Sequence, residues 1–146
     1  MKRYVSLVFL FLCLSALIAS ESRDLWTDDF ALATKMAREL NRPILINFTG
    51  SDWCRWCVLL EDEVFSQPIF KEYAKENLVL FIADFPRNIS QTDELKQQNQ
   101  YLMTKYGVRG FPTIVLVDKN ENVLATTGYR RGGAENYVKH IIELLK

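Results

Sequence analysis

Cys54 and Cys57 are separated by two residues in the segment SDWCRWCVLL (51–60), and they are the residues of this chain best suited to chemistry. Such a pair can be a catalytic dithiol, part of a metal site, a haem anchor or a structural disulfide. Haem attachment requires a histidine directly after the second cysteine, where this chain has Val58. Zinc requires three or four protein ligands, and the only histidine, His140, is far away in the sequence. We therefore expect neither a metal nor another bound cofactor.

The remaining choice lies between a structural disulfide and a redox-active pair. A bridge across two residues closes a very small loop, so it constrains the unfolded chain less than a bridge between distant elements does. Redox exchange requires a thiol that ionises near neutral pH, and a helix N-terminus together with Arg55 favours the anion at Cys54. Cys57, one turn later and expected to be more buried, can then attack a mixed disulfide and release the substrate. The pattern favours a catalytic dithiol.

Apolar periodicity and turn residues predict the elements that position this pair. Apolar residues recur at helical spacing over 28–41, and Pro43 follows them. Short apolar runs predict strands, and helical composition predicts further helices. The predicted strands are Ile44–Phe48, Leu78–Asp84, Thr113–Val117 and Val123–Thr127, and the further helices are Cys54–Val64, Gln67–Asn77, Thr92–Tyr106 and Ala134–Leu145.

This order of elements predicts an α/β fold. Helical crossovers imply parallel neighbours, and the short turn DKNEN (118–122) implies an antiparallel pair. The expected product is a central mixed β-sheet with helices on both faces. Sites in such folds lie beyond the carboxyl ends of parallel strands. Cys54 comes shortly after the end of the first predicted strand, so we expect the dithiol at this edge of the sheet.

Two motifs of this chain resemble the thioredoxin superfamily: DWCRWC after ILINF, and GVRGFPT further along. The longer segment TGSDWCRWCVLLEDEVF is similar to the thioredoxin-like domains of secreted bacterial thiol:disulfide interchange proteins. The resemblance covers nearly all of the chain after residue 20 and implies a thioredoxin fold. It implies that Pro112 is a cis-proline facing the dithiol, whereas an ordinary trans-proline would only open a strand. It also implies that the backbone of Phe111 pairs with a bound substrate as a short added strand.

Three residues beside the cysteines have two interpretations each. Trp53 and Trp56 can belong to a core, but their position next to the dithiol favours a surface that faces the substrate. Asp52 is interpreted as a turn or N-cap residue, not as a catalyst.

Asn47 departs from the family pattern, because many thioredoxins carry a buried aspartate at this position. An amide cannot take the proton of the second cysteine. Glu61 matches an acidic residue of the similar interchange proteins, and it follows Cys57 by four residues, which places both on one helical face. Two interpretations stay open: Glu61 is a partly buried general base, or it is a solvated helix charge.

Residues 1–20 have the layout of a secretory signal peptide. A short basic start precedes an uncharged apolar run from Val5 to Ala19, which is short for a membrane span. An uncleaved membrane anchor is the alternative. We predict cleavage after this run, one thioredoxin-like domain over residues 21–146, and a periplasmic or secreted location.

These features predict an exported thiol–disulfide oxidoreductase that reduces disulfides in protein substrates and exchanges electrons with a membrane or soluble thiol partner. The alternatives are a disulfide oxidase or isomerase, and a thioredoxin-like module that binds peptides without turnover. The 18 basic residues balance the 18 acidic residues, so charge gives no reason to expect a nucleic-acid partner. We expect a monomer, because the fold leaves no residues for a dimerisation domain.

Overall fold

The structure is a computed structural model that describes residues 25–146, so the predicted signal peptide lies outside it. The described strands are β1 (Trp26–Thr27), β2 (Ile44–Thr49), β3 (Val79–Asp84), β4 (Thr113–Val117) and β5 (Val123–Thr127). The α-helices are α1 (Phe30–Leu40), α2 (Arg55–Leu60), α3 (Pro68–Asn77), α4 (Asp93–Lys105) and α5 (Gly133–Leu144), and a π-helical segment (Glu61–Phe65) follows α2 directly. In the described part of the chain, no helix is long and apolar enough to cross a membrane.

The strands form one sheet in the order β1-β3-β2-β4-β5. β3 lies parallel to both β1 and β2, whereas β4 is antiparallel to both β2 and β5. Thr113 at the start of β4 pairs with Phe48 near the end of β2, and Thr127 at the end of β5 pairs with Ile114. The loops after β2, β3 and β5 and the loop before β4 therefore meet at one end of the sheet, here called the dithiol end.

Helices cover both faces of the sheet, and this confirms the predicted α/β architecture. Alternate strand residues point to opposite faces. Leu45, Leu80, Ile114 and Leu116 pack with residues of α2, the π-helical segment, α3 and α5. The residues between them, such as Ile46, Phe81 and Val115, pack with α1 and α4. The site lies at the end of a sheet that is buried on both sides.

Two features differ from the sequence-based expectation. β1 was not predicted, because two residues show no periodicity. The helix predicted over Cys54–Val64 is α-helical only to Leu60 and continues as a π-helical turn, in which the Ser66 N–H donates to the Glu61 carbonyl at 2.9 Å. One-turn π-helical segments inside longer helices are frequent at functional sites.

Candidate active site

Cys54 and Cys57 form a disulfide at the beginning of α2, with their Cα atoms 5.2 Å apart. Cys54 has extended backbone angles and is the N-cap of the helix, where its Sγ accepts the Cys57 N–H at 3.2 Å. A turn positions it, because the Cys54 N–H also donates to the Gly50 carbonyl at 2.8 Å. Cys54 is 6% exposed and Cys57 is 5% exposed, so the expected difference in burial between the two is absent from this oxidised form.

Trp53 is fixed against the loop that follows β3. Its Nε1 donates to the Phe85 carbonyl at 2.8 Å, and the Arg87 guanidinium lies 3.9 Å above the ring. The ring also lies over Gly50, where an added Cβ would be 2.4 Å from Trp53 Cε2. Gly50 is therefore required by the close approach of the indole. Trp53 remains 37% exposed in spite of these contacts.

Phe111 and Pro112 lie beside Trp53 in the loop that enters β4. The Phe111–Pro112 peptide bond is cis, which is the conformation that the resemblance implied. The Phe111 ring packs edge-on against Trp53, with centroids 5.8 Å apart, and also contacts Phe85 at 5.1 Å. The loop after β5 passes close by, because a Cβ on Gly128 would lie 3.1 Å from the Pro112 carbonyl oxygen.

Trp56 lies next to the loop after β5, and we call the rings of Trp53, Trp56, Phe111 and Tyr129 the aromatic surface. Trp56 is 47% exposed and packs against Tyr129, with ring centroids 5.2 Å apart. The Tyr129 hydroxyl donates to the Glu63 carboxylate at 2.7 Å, and this hydrogen bond raises the pKa of Tyr129. Both predicted tryptophans are thus exposed next to the dithiol, but their contact with substrate stays a prediction.

A cleft of about 640 Å³ opens on the other flank of the disulfide. Cys57 lines this cleft together with Asn47, Glu61, Asp28 and Asp62. Asn47 lies on the same face of β2 as Leu45, towards α2, and it is only 5% exposed. Its Oδ1 atom has no hydrogen-bond partner among the described residues, although buried polar atoms nearly always have one. Within residues 25–146, three carboxylates and no basic side chain line this cleft, and we call it the acidic cleft.

Glu61 lies one helical turn after Cys57, because its N–H donates to the Cys57 carbonyl. The structure therefore brings Cys57, Asn47 and Glu61 to the same cleft. Glu61 is exposed, so the expectation of partial burial is wrong. It is the first residue of the π-helical segment, directly after the last residue of α2.

Asp52 connects two loops and does not cap α2, since Cys54 occupies the cap position. Its carboxylate accepts the N–H groups of Arg87 at 2.9 Å and Asn88 at 2.6 Å. These hydrogen bonds, that of Arg87 first, lower the pKa of Asp52. The turn interpretation is correct and the N-cap interpretation is wrong.

Phe85, Arg87 and Tyr129 also belong to the site, although they were not predicted from the sequence. Each follows the end of a strand whose last residues lie at the dithiol end. The rule that sites gather beyond strand ends would have pointed to these loops. No local pattern would have shown that Tyr129 packs on Trp56.

Comparisons with known proteins agree with this geometry. A family model described as a thioredoxin-like domain matches residues 30–141. The chain is 36% identical over 119 residues to disulfide bond reductase DsbH of Chlamydia pneumoniae, covering 82% of this chain and 72% of DsbH. It is 27% identical over 130 residues to thioredoxin-related protein DsbJ of the same organism, covering 86% of this chain but only 37% of DsbJ.

Solved structures show the same fold. The structure titled DsbH oxidoreductase superposes with a TM-score of 0.79 at 36% identity, covering 82% of this chain and 83% of that one. The oxidised C-terminal domain of DsbD from Neisseria meningitidis gives a TM-score of 0.57 at 22% identity, covering 78% and 90%. The second likeness concerns the fold alone. The chain belongs to the thioredoxin-like family, as the two motifs indicated, and its Cys54–Cys57 pair in this fold makes it a thiol–disulfide oxidoreductase.

Proposed function

We propose that this protein reduces disulfide bonds of other proteins outside the cytoplasm. The observation that carries the proposal is the position of the Cys54–Cys57 disulfide, which caps α2 at the dithiol end between an aromatic surface and the acidic cleft. The 36% identity to a protein named disulfide bond reductase supports the reductive direction.

The reaction begins with both cysteines reduced. The Cys54 thiolate attacks one sulfur of a substrate disulfide, a mixed disulfide forms, and the other substrate sulfur leaves as a thiolate and takes up a proton. Cys57 then loses its proton and attacks Cys54 Sγ. The second substrate thiol leaves, and the Cys54–Cys57 disulfide forms. Two electrons pass to the substrate, and the structure shows the oxidised product state of the protein.

Glu61 is the proposed acceptor of the Cys57 proton. Asn47 cannot take a proton, but its unpartnered Oδ1 lines the same cleft as Cys57 and Glu61. A water molecule in a polar cleft of this size can bridge groups that do not touch. The exposed position of Glu61 then allows the proton to leave to solvent.

The aromatic surface is the proposed substrate-binding region. Trp53 and Trp56 offer exposed ring area on either side of Cys54, and Phe111 connects this surface to the loop before β4. The backbone of Phe111, next to Pro112, is the proposed site at which an extended substrate segment adds as a short strand. Main-chain hydrogen bonds would then bind substrates of varied sequence.

The proposed function also requires export of the protein and re-reduction of its dithiol after each turnover. The layout of residues 1–20 supports export, followed by action as a monomer in the periplasm or outside the cell. Because each turnover leaves Cys54 and Cys57 oxidised, a membrane or soluble thiol protein must return two electrons.

The experiment is an insulin-reduction assay combined with measurement of the equilibrium reduction potential against glutathione. We expect turnover that requires both cysteines, and a potential of about −270 to −200 mV, the range of thioredoxins and glutaredoxins. The Cys54→Ser and Cys57→Ser variants are the controls. A potential near about −120 mV would instead identify an oxidant. Absence of exchange with any disulfide would leave only a peptide-binding module.

A further inference from the structure

Arginines are concentrated at the dithiol end. The described residues include seven arginines, and five of them are exposed in the first turn of α2 or in the loops that meet at this end. We call these five the arginine rim: Arg55, Arg87, Arg109, Arg130 and Arg131. None of the eight described lysines belongs to these segments. This concentration of positive charge is local, because acidic and basic residues balance over the whole chain.

The rim has no ion pairs within the described part of the molecule. The ion pairs found there join other residues, such as Lys105 with Glu121 and Lys139 with Glu135. Carboxylates also lie at this end of the sheet. Asp52 accepts backbone N–H groups of the Arg87 loop, Asp84 accepts the N–H and the hydroxyl of Ser51, and Glu63 accepts the Tyr129 hydroxyl. The five arginines outnumber these three carboxylates, so the rim keeps an excess of positive charge.

The arginines of the rim lie in the same chain segments as the rings of the aromatic surface, or next to them in space. Arg87 stacks on Trp53, and Arg130 directly follows Tyr129, which packs on Trp56. Arg109 lies two residues before Phe111. The guanidinium group is planar, weakly hydrated and able to bind a carboxylate through two parallel hydrogen bonds. Arginines around exposed aromatic rings are typical of a surface that binds a partner with acidic side chains.

The acidic cleft, on the other flank of the disulfide, carries charge of the opposite sign to that of the rim. Asp28, Glu61 and Asp62 line it, and none of its described lining residues is cationic. We therefore expect an acidic segment to approach the disulfide from the side of the rim.

We propose that the preferred substrates carry aspartate or glutamate residues within a few positions of the disulfide cysteine, and that the arginine rim binds them. This inference rests on the proposed function, because it concerns the substrate of the same dithiol. An exposed ion pair changes an equilibrium by less than about fivefold, so two or three pairs together give roughly a tenfold preference.

The test uses three disulfide peptides of equal length and cysteine spacing, whose flanking residues are acidic, neutral or basic. Reduced protein is mixed with each peptide, and the second-order rate constant is measured at about 0.02 M and about 0.3 M NaCl, where screening is weak and strong. We expect the order acidic, neutral, basic at low salt, with about tenfold between the extremes and a much smaller spread at high salt. Any other order at low salt would overturn the inference.

A charge-matched pair of variants assigns the effect to the rim. Arg130→Gln with Arg131→Gln removes two rim charges, and we expect the rate for the acidic peptide to fall towards that for the neutral one. Lys35→Gln with Lys71→Gln removes two charges from α1 and α3 and should keep the full preference. Equal losses in both double variants would show a net-charge effect and would overturn the role of the rim.

Reduction of hydroxyethyl disulfide, which is small and uncharged, separates the two proposals. If the protein reduces it and reduces all three peptides equally, the dithiol function stands and the acidic preference is wrong. If the protein reduces neither this compound nor any peptide, the proposed function itself fails.

Discussion

The two flanks of the Cys54–Cys57 disulfide differ in charge, in polarity and in the elements that build them. The acidic cleft lies over β1 and β3 and presents carboxylates, with the buried amide of Asn47 at its base. The other flank is built by α2 and by the loops after β2, β3 and β5 and before β4, and it presents aromatic rings together with arginines.

Under the proposed mechanism, this difference assigns different steps to the two cysteines, which lie only one helical turn apart. Cys57 is the cysteine that lines the acidic cleft, where a proton acceptor is available. Cys54 is the helix cap, next to the rings of Trp53 and Trp56. Burial does not distinguish the two cysteines, so their surroundings must.

The strongest test of these separate roles of Cys54 and Cys57 replaces each cysteine by serine. Cys54→Ser should abolish turnover, because the attacking thiolate is lost. Cys57→Ser should also stop turnover but should still attack, so that it accumulates mixed disulfides with substrate proteins. Trapping is measured by non-reducing gels and mass spectrometry. Accumulation in Cys54→Ser instead would reverse the roles of the two flanks.

Removal of the carboxylate of Glu61 should give the next largest effect. Glu61→Gln is expected to slow release of the mixed disulfide by about tenfold or more, because general-base catalysis contributes at least this much in many enzymes. The first attack by Cys54 should change less, and the deficit should shrink at high pH, where Cys57 ionises unaided.

Single-turnover kinetics from pH 6 to 9 would separate these two steps. The matched control is Asp62→Asn, which removes a carboxylate from the same cleft at the next position of the helix. If Glu61→Gln keeps the wild-type rates over this range, Glu61 is only a solvated charge. If both variants release the mixed disulfide equally slowly, the total negative charge of the cleft controls this step, and Glu61 is not a specific base.

Gly50→Ala should damage the aromatic flank selectively. The new Cβ would lie 2.4 Å from Trp53, so the indole must move away from Phe85 and Phe111. Overpacking of this kind costs about 1–3 kcal/mol of stability. Thermal unfolding measures the loss, and Gly110→Ala is the control because nothing lies within 4 Å of its added Cβ. Equal melting temperatures of the two variants would contradict the close approach of Trp53.

Asp52→Asn should have the smallest effect, and its pH dependence has a defined sign. Hydrogen bonds lower the pKa of Asp52 in the folded protein, so the carboxylate stabilises the fold above its unfolded pKa of about 3.9. This contribution is lost as the pH falls through the folded pKa. We therefore expect the variant to melt slightly below the wild type at pH 7, and this difference to shrink as the pH falls below about 3.9. A larger difference at pH 3 would contradict the assignment.

The sheet was predictable because four of its five strands are apolar runs bounded by turn residues. β1 was not predictable, because its two residues form a strand only through their pairing with β3, which is distant in the sequence. The π-helical turn was not predictable either, because the segment after Leu60 has ordinary helical composition. Its extra residue is visible only in the hydrogen bond from Ser66 to Glu61.

The candidate site was predictable where one local motif contains the chemistry. Cys54, Cys57 and Glu61 follow from the spacing of a single helix. The arginine rim combines four separate chain segments, and its excess charge depends on carboxylates that the fold places elsewhere. Only the three-dimensional arrangement shows that Arg130 and Arg87 belong to the same surface.

The burial of the two sulfur-bearing residues also limits the shape of a substrate. Because Cys54 is only 6% exposed in this oxidised form, a disulfide in a flat protein surface is poorly placed to align with its sulfur. We expect better access to a bond that protrudes on a convex loop or lies in a chain that is still flexible. Compact proteins whose bridges are recessed would then be reduced slowly, however favourable the free energy of the exchange is.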